Sequence, residues 1–365
     1  MLGAGCGLIP DTQNLIPNTQ IPKPRPFSST LISEVEDLSL QSLKHWSIRL
    51  GLLLLTFGLV VACQRSPQSS APIDGVDCTV VEHVAGTACV PREIQRLVTL
   101  DGVMFEYAIA ADLNPIATVS SDFQAQLPPL MTDAQNIGKG GEPNLEAILS
   151  LKPDLIVGLD FHQDIYPQLS QMAPTLLVPF EHSGQWQEVF LKTGAALNQE
   201  EAALSELEAY QARTADFQAQ MGERLNNLQV SVIRLYPDTI NLYLKDSFCG
   251  TVLQDAGLAR PPAQDIGAAE AQQRFDNPIQ ISISRELLAQ ADGDVIFIWT
   301  GENTAEGNQE AQKQLQELQQ EPLWGQLKAV QSGRVYQVPS YWIGNGSIAA
   351  NAVLDDLFKY LVEEG

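Results

Sequence analysis

The sequence predicts an α/β protein of two Rossmann-like lobes, each a sheet of parallel type flanked by helices, joined by one long helix. Three observations carry this expectation. Apolar strand-like runs alternate with helix-like runs from Leu97 to Val178, the pattern of a parallel sheet covered on both faces. A proline-free stretch rich in Ala, Leu, Glu and Gln runs from Gln185 to about Asn226. Beyond it a second α/β block begins, and part of that block echoes the first.

In the first block Leu97-Val98-Thr99-Leu100 reads as a buried strand and Phe105 to Leu113 as the helix after it. Ile116 to Val119, Leu155 to Val157 and Thr175 to Val178 read as further strands. Asn144 to Leu151 and Ile165 to Met172 read as helices. From Glu200 onward the proline-free stretch is good helix-forming sequence. A helix of some 25 residues would reach roughly 37 Å. The second block opens with Val230-Ser231-Val232-Ile233. EAILSLKPDLIV from Glu146 and ELLAQADGDVIF from Glu286 align without a gap, pairing Glu146 with Glu286, Ile148 with Leu288, Asp154 with Asp294, Leu155 with Val295 and Ile156 with Ile296. Each copy reads as a short helix, a turn ending in Asp and an apolar strand, and one copy lies on each side of the long helix. These readings place the N-terminal lobe at 93–184, the connecting helix at 185–228 and the C-terminal lobe at 229–365.

Residues 1–62 are set apart from the fold. Lys44, His45 and Arg49 precede LGLLLLTFGLVVAC, Leu50 to Cys63, in which the residues up to Ala62 are apolar or small except Thr56. A basic lead, an apolar region of this length and a small residue before the cut describe a secretory signal. A membrane-spanning helix needs about 20 apolar residues and is the weaker reading. Val60-Val61-Ala62-Cys63 resembles a bacterial lipobox, which implies acylation at Cys63. Several acyl chains anchor a protein stably, whereas one binds only marginally. The alternative is an unprocessed anchor with Cys63 incidental. A real signal seldom begins this late, which leaves the true translational start open. Gln64 to Pro72, QRSPQSSAP, fits a flexible tether, so 63–92 is read as the anchored tether and the segment carrying Cys78 and Cys89. In an exported protein these two cysteines are candidate disulfide partners, and the bond would contribute at most about 3 kcal/mol on the chain-entropy model. Cys249 is left over and reads as a buried thiol.

The chain has 365 residues and a formal net charge of −23. Residues 1–62 hold four basic and four acidic side chains, so the remainder keeps 17 against 40. That balance argues against nucleic acid and anionic lipid as partners, and any anionic ligand would need a local basic pocket. No HExxH, GxSxG or GxxxxGK[ST] motif is present, and Gly138-Lys139-Gly140-Gly141 is no dinucleotide fingerprint. His83, His162 and His182 are scattered, so neither an enzyme nor a site for a bare metal ion is expected.

Four stretches carry a family resemblance: RLVTLDGVMFEYAIAADLNP from Arg96 to Pro115 (with Ala111 where Leu is usual), GKGGEPNLEAILSLKPDLIVG from Gly138 to Gly158, and, in the second block, Ser247-Phe248-Cys249-Gly250 to Gly257-Leu258 and Ile283 to Phe297. They resemble the solute-binding proteins of ABC importers for ferric siderophores and cobalamin. The likeness covers about 95–360. It implies two α/β lobes, ligand in the cleft between them, little hinge freedom in the linking helix, no cofactor and a monomer that delivers its cargo to permease subunits. Glu146 and Glu286 match the paired glutamates, one per lobe, that dock on permease arginines. Charge-assisted Arg–carboxylate contacts suit such a role, although an acidic residue in the first turn also stabilises any helix by about 0.3–1 kcal/mol.

A bulky, often anionic chelate implies basic groups among aromatic walls, at strand ends where α/β sheets open their crevices. Arg234, Tyr236, Tyr243, Trp299, Tyr341, Trp342, Lys139 and His162 are the expected ligand-binding residues, and Phe161 directly precedes His162. The expected function is capture of a ferric siderophore or ferric citrate by an exported, lipid-anchored protein facing the periplasm or the cell exterior. An importer partner implies the cytoplasmic membrane. Cobalamin or haem as cargo, and an exported enzyme on the same scaffold, are the alternatives.

Overall fold

The computed structural model describes residues 77–120, 133–226, 228–301 and 305–364. The signal, Cys63 and the tether up to residue 76 lie outside them. Two strands, β1 (Cys78–His83) and β2 (Gly86–Pro91), form an antiparallel hairpin closed by the Cys78–Cys89 disulfide.

The first lobe follows the alternation of its sequence. Its elements are β3 (Leu97–Thr99), α1 (Gly102–Ala110), β4 (Ala117–Ser120), β5 (Gln135–Lys139), β6 (Glu142–Pro143), α2 (Leu145–Leu151), β7 (Leu155–Leu159), α3 (Tyr166–Leu169) and β8 (Thr175–Val178). The sheet order is β6-β5-β4-β3-β7-β8, and every pair is parallel except β5–β6. β7 is buried along its whole length, as expected of a strand covered on both faces. Asp101 caps α1 by accepting from the Met104 amide, and Asn144 caps α2 by accepting from that of Ala147. The helix expected over Ile165 to Met172 is shorter, with Pro167 tolerated in its first turn and a 3-10 segment, Asp160–Ile165, leading into it.

The connection consists of two helices rather than one. α4 (Trp186–Ala196) ends where Asn198 takes φ +57°, and α5 (Glu200–Met221) follows. Gly194 allows the two to touch, since a Cβ there would lie 2.5 Å from that of Ala203. Trp186 is fully buried at this junction, edge-on to Tyr210 of α5 and to Phe248. Such aromatic pairs add about 0.5–1.5 kcal/mol beyond area burial.

The second lobe comprises β9 (Val230–Leu235), β10 (Ile240–Tyr243), α6 (Phe248–Asp255), α7 (Ala268–Phe275), β11 (Gln280–Ile283), β12 (Val295–Thr300), α8 (Ala305–Leu318), α9 (Lys328–Gln331), β13 (Val335–Gln337) and α10 (Ser347–Leu357). The order is β11-β10-β9-β12-β13, with β9, β12 and β13 parallel and β10 antiparallel to both neighbours. The mixed sheet departs from the expected parallel type. Only Tyr236 to Thr239 separate β9 from β10, and the Tyr236 amide donates to the Thr239 carbonyl. A turn that short can join only antiparallel strands. Glu286 lies in the short helix expected there, which is a 3-10 helix, Arg285–Ala291. Its buried residues Leu288 and Ala291 are three apart, and three-residue spacing eclipses side chains on a 3-10 helix.

Candidate functional site

Arg234 and Trp299 are register partners on the adjacent parallel strands β9 and β12. Their side chains therefore leave the same sheet face, one residue before each strand ends. Tyr236 follows directly in the β9–β10 turn. The Arg234 guanidinium carbon lies 4.1 Å from the ring centroid of Tyr236 and 4.1 Å from that of Trp299, so two aromatic faces hold the cation. Its Nη1 donates to the Tyr243 hydroxyl and its Nη2 to the Gly301 carbonyl, each at 3.2 Å. Burial raises the Tyr243 phenol above its ordinary value, which keeps it a neutral acceptor here. No carboxylate among the described residues pairs with Arg234, and its Nε, though buried, has no hydrogen-bond partner. A half-buried guanidinium with donors to spare and no counter-ion among the described residues is suited to a planar anion, which its fork can bind in bidentate fashion. Gly301 leaves room for this arrangement, because a Cβ there would come within 2.6 Å of the Trp299 indole.

In the first lobe Lys139 is exposed at the carboxyl end of β5, at the same sheet edge as the end of β7. Gly138 turns the chain there with φ +134°. The next residues past β7 reverse the order expected from sequence. His162 is 3 % exposed, and its Nε2 lies 3.5 Å from Asp101, whose carboxylate also accepts from the Leu159 amide. Gly158 makes space for that imidazole. Phe161 is 58 % exposed. His162 is thus a buried support, and Phe161 is the side chain presented to solvent.

Two more expectations are corrected. Trp342 has no exposed surface. It stacks on Phe297 at 4.3 Å, and its Nε1 donates to Asp356 of α10. The Tyr341 hydroxyl donates to the same carboxylate. A half-buried acceptor thus holds the indole in the core of the second lobe, and Trp342 is no crevice wall. Tyr243 is 4 % exposed, and its hydroxyl meets Arg234 rather than the crevice. Cys249 is buried, and burial pushes its thiol up.

Glu146 is exposed in the first turn of α2 and Glu286 in the matching turn of the second lobe. The Ser284 hydroxyl holds the Glu286 carboxyl below the ordinary carboxylate range. Arg285 is tied to Glu317 and Glu321 of α8 instead, so neither glutamate has a salt-bridge partner among the described residues.

Residues 107–342 match the family described as periplasmic binding protein. The chain belongs to that family. It is 30 % identical over 329 residues to the probable siderophore-binding lipoprotein YfiY of Bacillus subtilis (strain 168), covering 88 % of this chain and 99 % of the relative. The Fe(3+) dicitrate-binding periplasmic protein FecB of Escherichia coli (strain K12) is 26 % identical over 288 residues, covering 76 % and 89 %. Among solved structures, Staphylococcus aureus SirA complexed with staphyloferrin B superposes with a TM-score of 0.65 at 26 % identity, covering 78 % of this chain and 98 % of that one. The family is one of solute-binding proteins, and the two-lobed α/β architecture is its fold.

Proposed function

We propose that this protein captures a ferric siderophore or ferric citrate between its lobes and delivers it to an ABC importer. The observation that carries the reading is Arg234, held between Tyr236 and Trp299 with no carboxylate partner among the described residues. In a chain of net charge −23, a guanidinium at a strand end with no carboxylate partner among the described residues is a local exception that an anionic chelate would exploit. Trp299 and Tyr236 would flank the chelate, and Lys139 and Phe161 would meet it from the other lobe. The names of YfiY, FecB and SirA's ligand point to the same class of cargo.

The finer assignments follow from that reading. Cys63 carries the lipid anchor, the body faces the periplasm or cell exterior as a monomer, and Glu146 and Glu286 meet arginines of the permease. Catalysis has no part in this function.

The test uses the soluble body from Ser66 onward, titrated with ferric citrate, a ferric catecholate, a ferric hydroxamate and cobalamin. Tryptophan fluorescence and calorimetry report binding. Saturable binding of one ferric chelate supports the reading, binding of cobalamin alone changes the cargo, and binding of none refutes it.

A further inference from the structure

Glu106 sits in the middle of the apolar helix α1 of the first lobe, yet it is only 4 % exposed. Its Oε1 accepts from the backbone amide of Ala349, 243 residues away in the first turn of α10. Gly346 makes the approach possible, because a Cβ at that position would lie 2.6 Å from the Glu106 carboxyl. Glu106 thus stitches a helix of the first lobe to the start of the last helix of the second. Glu206 of the connecting helix α5 lies on the same seam and takes a 3.4 Å hydrogen bond from Asn351. Arg213, one of the cations nearby, is turned to Asn351 and Asp355, so it does not neutralise Glu106.

We propose that Glu106 is a proton-operated latch between the lobes: protonated, it holds α1 against the start of α10, and ionised, it loosens that seam. The helix N-terminus favours the carboxylate, but removal from water disfavours it more strongly. Burial, with the Glu206 charge adding to it, raises the Glu106 carboxyl to about 7 against the two backbone amides. Burial also raises Glu206, and Asp112 adds to that rise. Strands β3, β4 and β7, which pack on α1, hold no charged residue, and Glu188 and Lys192 of α4 pair with each other at the surface. On α1 itself, Asp101 is committed to the cap and to Leu159, and the Tyr107 hydroxyl donates to the Trp186 carbonyl. With no cation among the described residues to compensate it, ionised Glu106 would draw water between α1 and α10. The latch requires no ligand in the crevice.

The experiment measures hydrogen exchange of the backbone amides over residues 345–352 in the soluble body at pH 5.5, 7 and 8.5, corrected for the intrinsic exchange rate. Protection is expected to fall by at least about tenfold as pH rises, one pK unit being a factor of ten. In Glu106→Gln, whose amide oxygen can still accept from Ala349, it is expected to stay level. Level protection in the wild type, or an equal fall in Glu106→Gln, overturns the proposal. Should Glu106→Gln not fold, Glu206→Gln serves instead. Removing that neighbouring charge is expected to move the fall to lower pH, and an unmoved midpoint overturns the latch.

Discussion

Asp154 and Asp294 do the same work in the two lobes. The carboxylate of Asp154 accepts from the amides of Gln95 and Arg96, just before β3, and its own amide donates to the Arg96 carbonyl. The carboxylate of Asp294 accepts from the amide of Gln229, just before β9, and its amide donates to the Gln229 carbonyl. Each aspartate therefore pins the start of its lobe's first strand to the strand beside it. Asp294→Ala should cost about 1.5–3 kcal/mol, the range for a hydrogen bond to a charged group, and its urea midpoint beside that of the wild type measures this.

Arg234→Ala should weaken an anionic ferric chelate by about 1.5–3 kcal/mol, roughly a 10- to 150-fold rise in Kd. Arg234→Lys should recover little, since an ammonium lacks both the planar fork and the stacking surface. Calorimetric titration of the three proteins is the check, and equal affinities would remove Arg234 from the site.

Trp342→Ala should destabilise the fold by roughly 3–5 kcal/mol through the cavity it leaves. It should also leave chelate affinity near that of the wild type at temperatures where the variant is folded. A large affinity loss with unchanged stability would return Trp342 to the crevice.

Glu146→Arg combined with Glu286→Arg should abolish uptake of labelled ferric chelate by cells while sparing binding by the purified protein. Both side chains are exposed, so the fold should tolerate the change. Lost binding in the double variant would contradict the docking role.

Stability should depend on pH through Glu106. Its folded value of about 7 lies above the unfolded 4.5, so the folded state binds the proton more tightly. The contribution is fully present below about pH 4.5 and is lost as pH rises to about 7, on the order of 3 kcal/mol in all. Burial also raises Asp255, Asp356 and Glu206, all with the same sign. The stability difference between wild type and Glu106→Gln at pH 5 and pH 8 isolates the single group. Glu106→Gln should gain relative to the wild type at the higher pH, and a constant difference would show that Glu106 does not titrate in this range.

Much of this molecule is legible in its amino-acid order, because strand and helix patterns are local. The run of strands from Leu97 to Val178, the long helix from Glu200 and the repeat around Asp154 and Asp294 can all be read from periodicity and spacing. Arg234 and Trp299 stand out in the same way, as polar or amphipathic residues ending apolar strands. Tertiary packing decided the rest. Trp342 and Trp299 look alike in sequence, and only the carboxylate of Asp356 and the ring of Phe297, both distant in sequence, hold one indole in the core. Phe161 and His162 are adjacent, and only the space left at Gly158, with Asp101 some 60 residues earlier packed alongside, shows which of the two turns inward. Glu106 is visible as a charge in an apolar helix, but its partner at Ala349 comes from the far end of the chain. Local sequence sets which conformations a segment can adopt, whereas the burial of a polar atom depends on what the rest of the chain places against it.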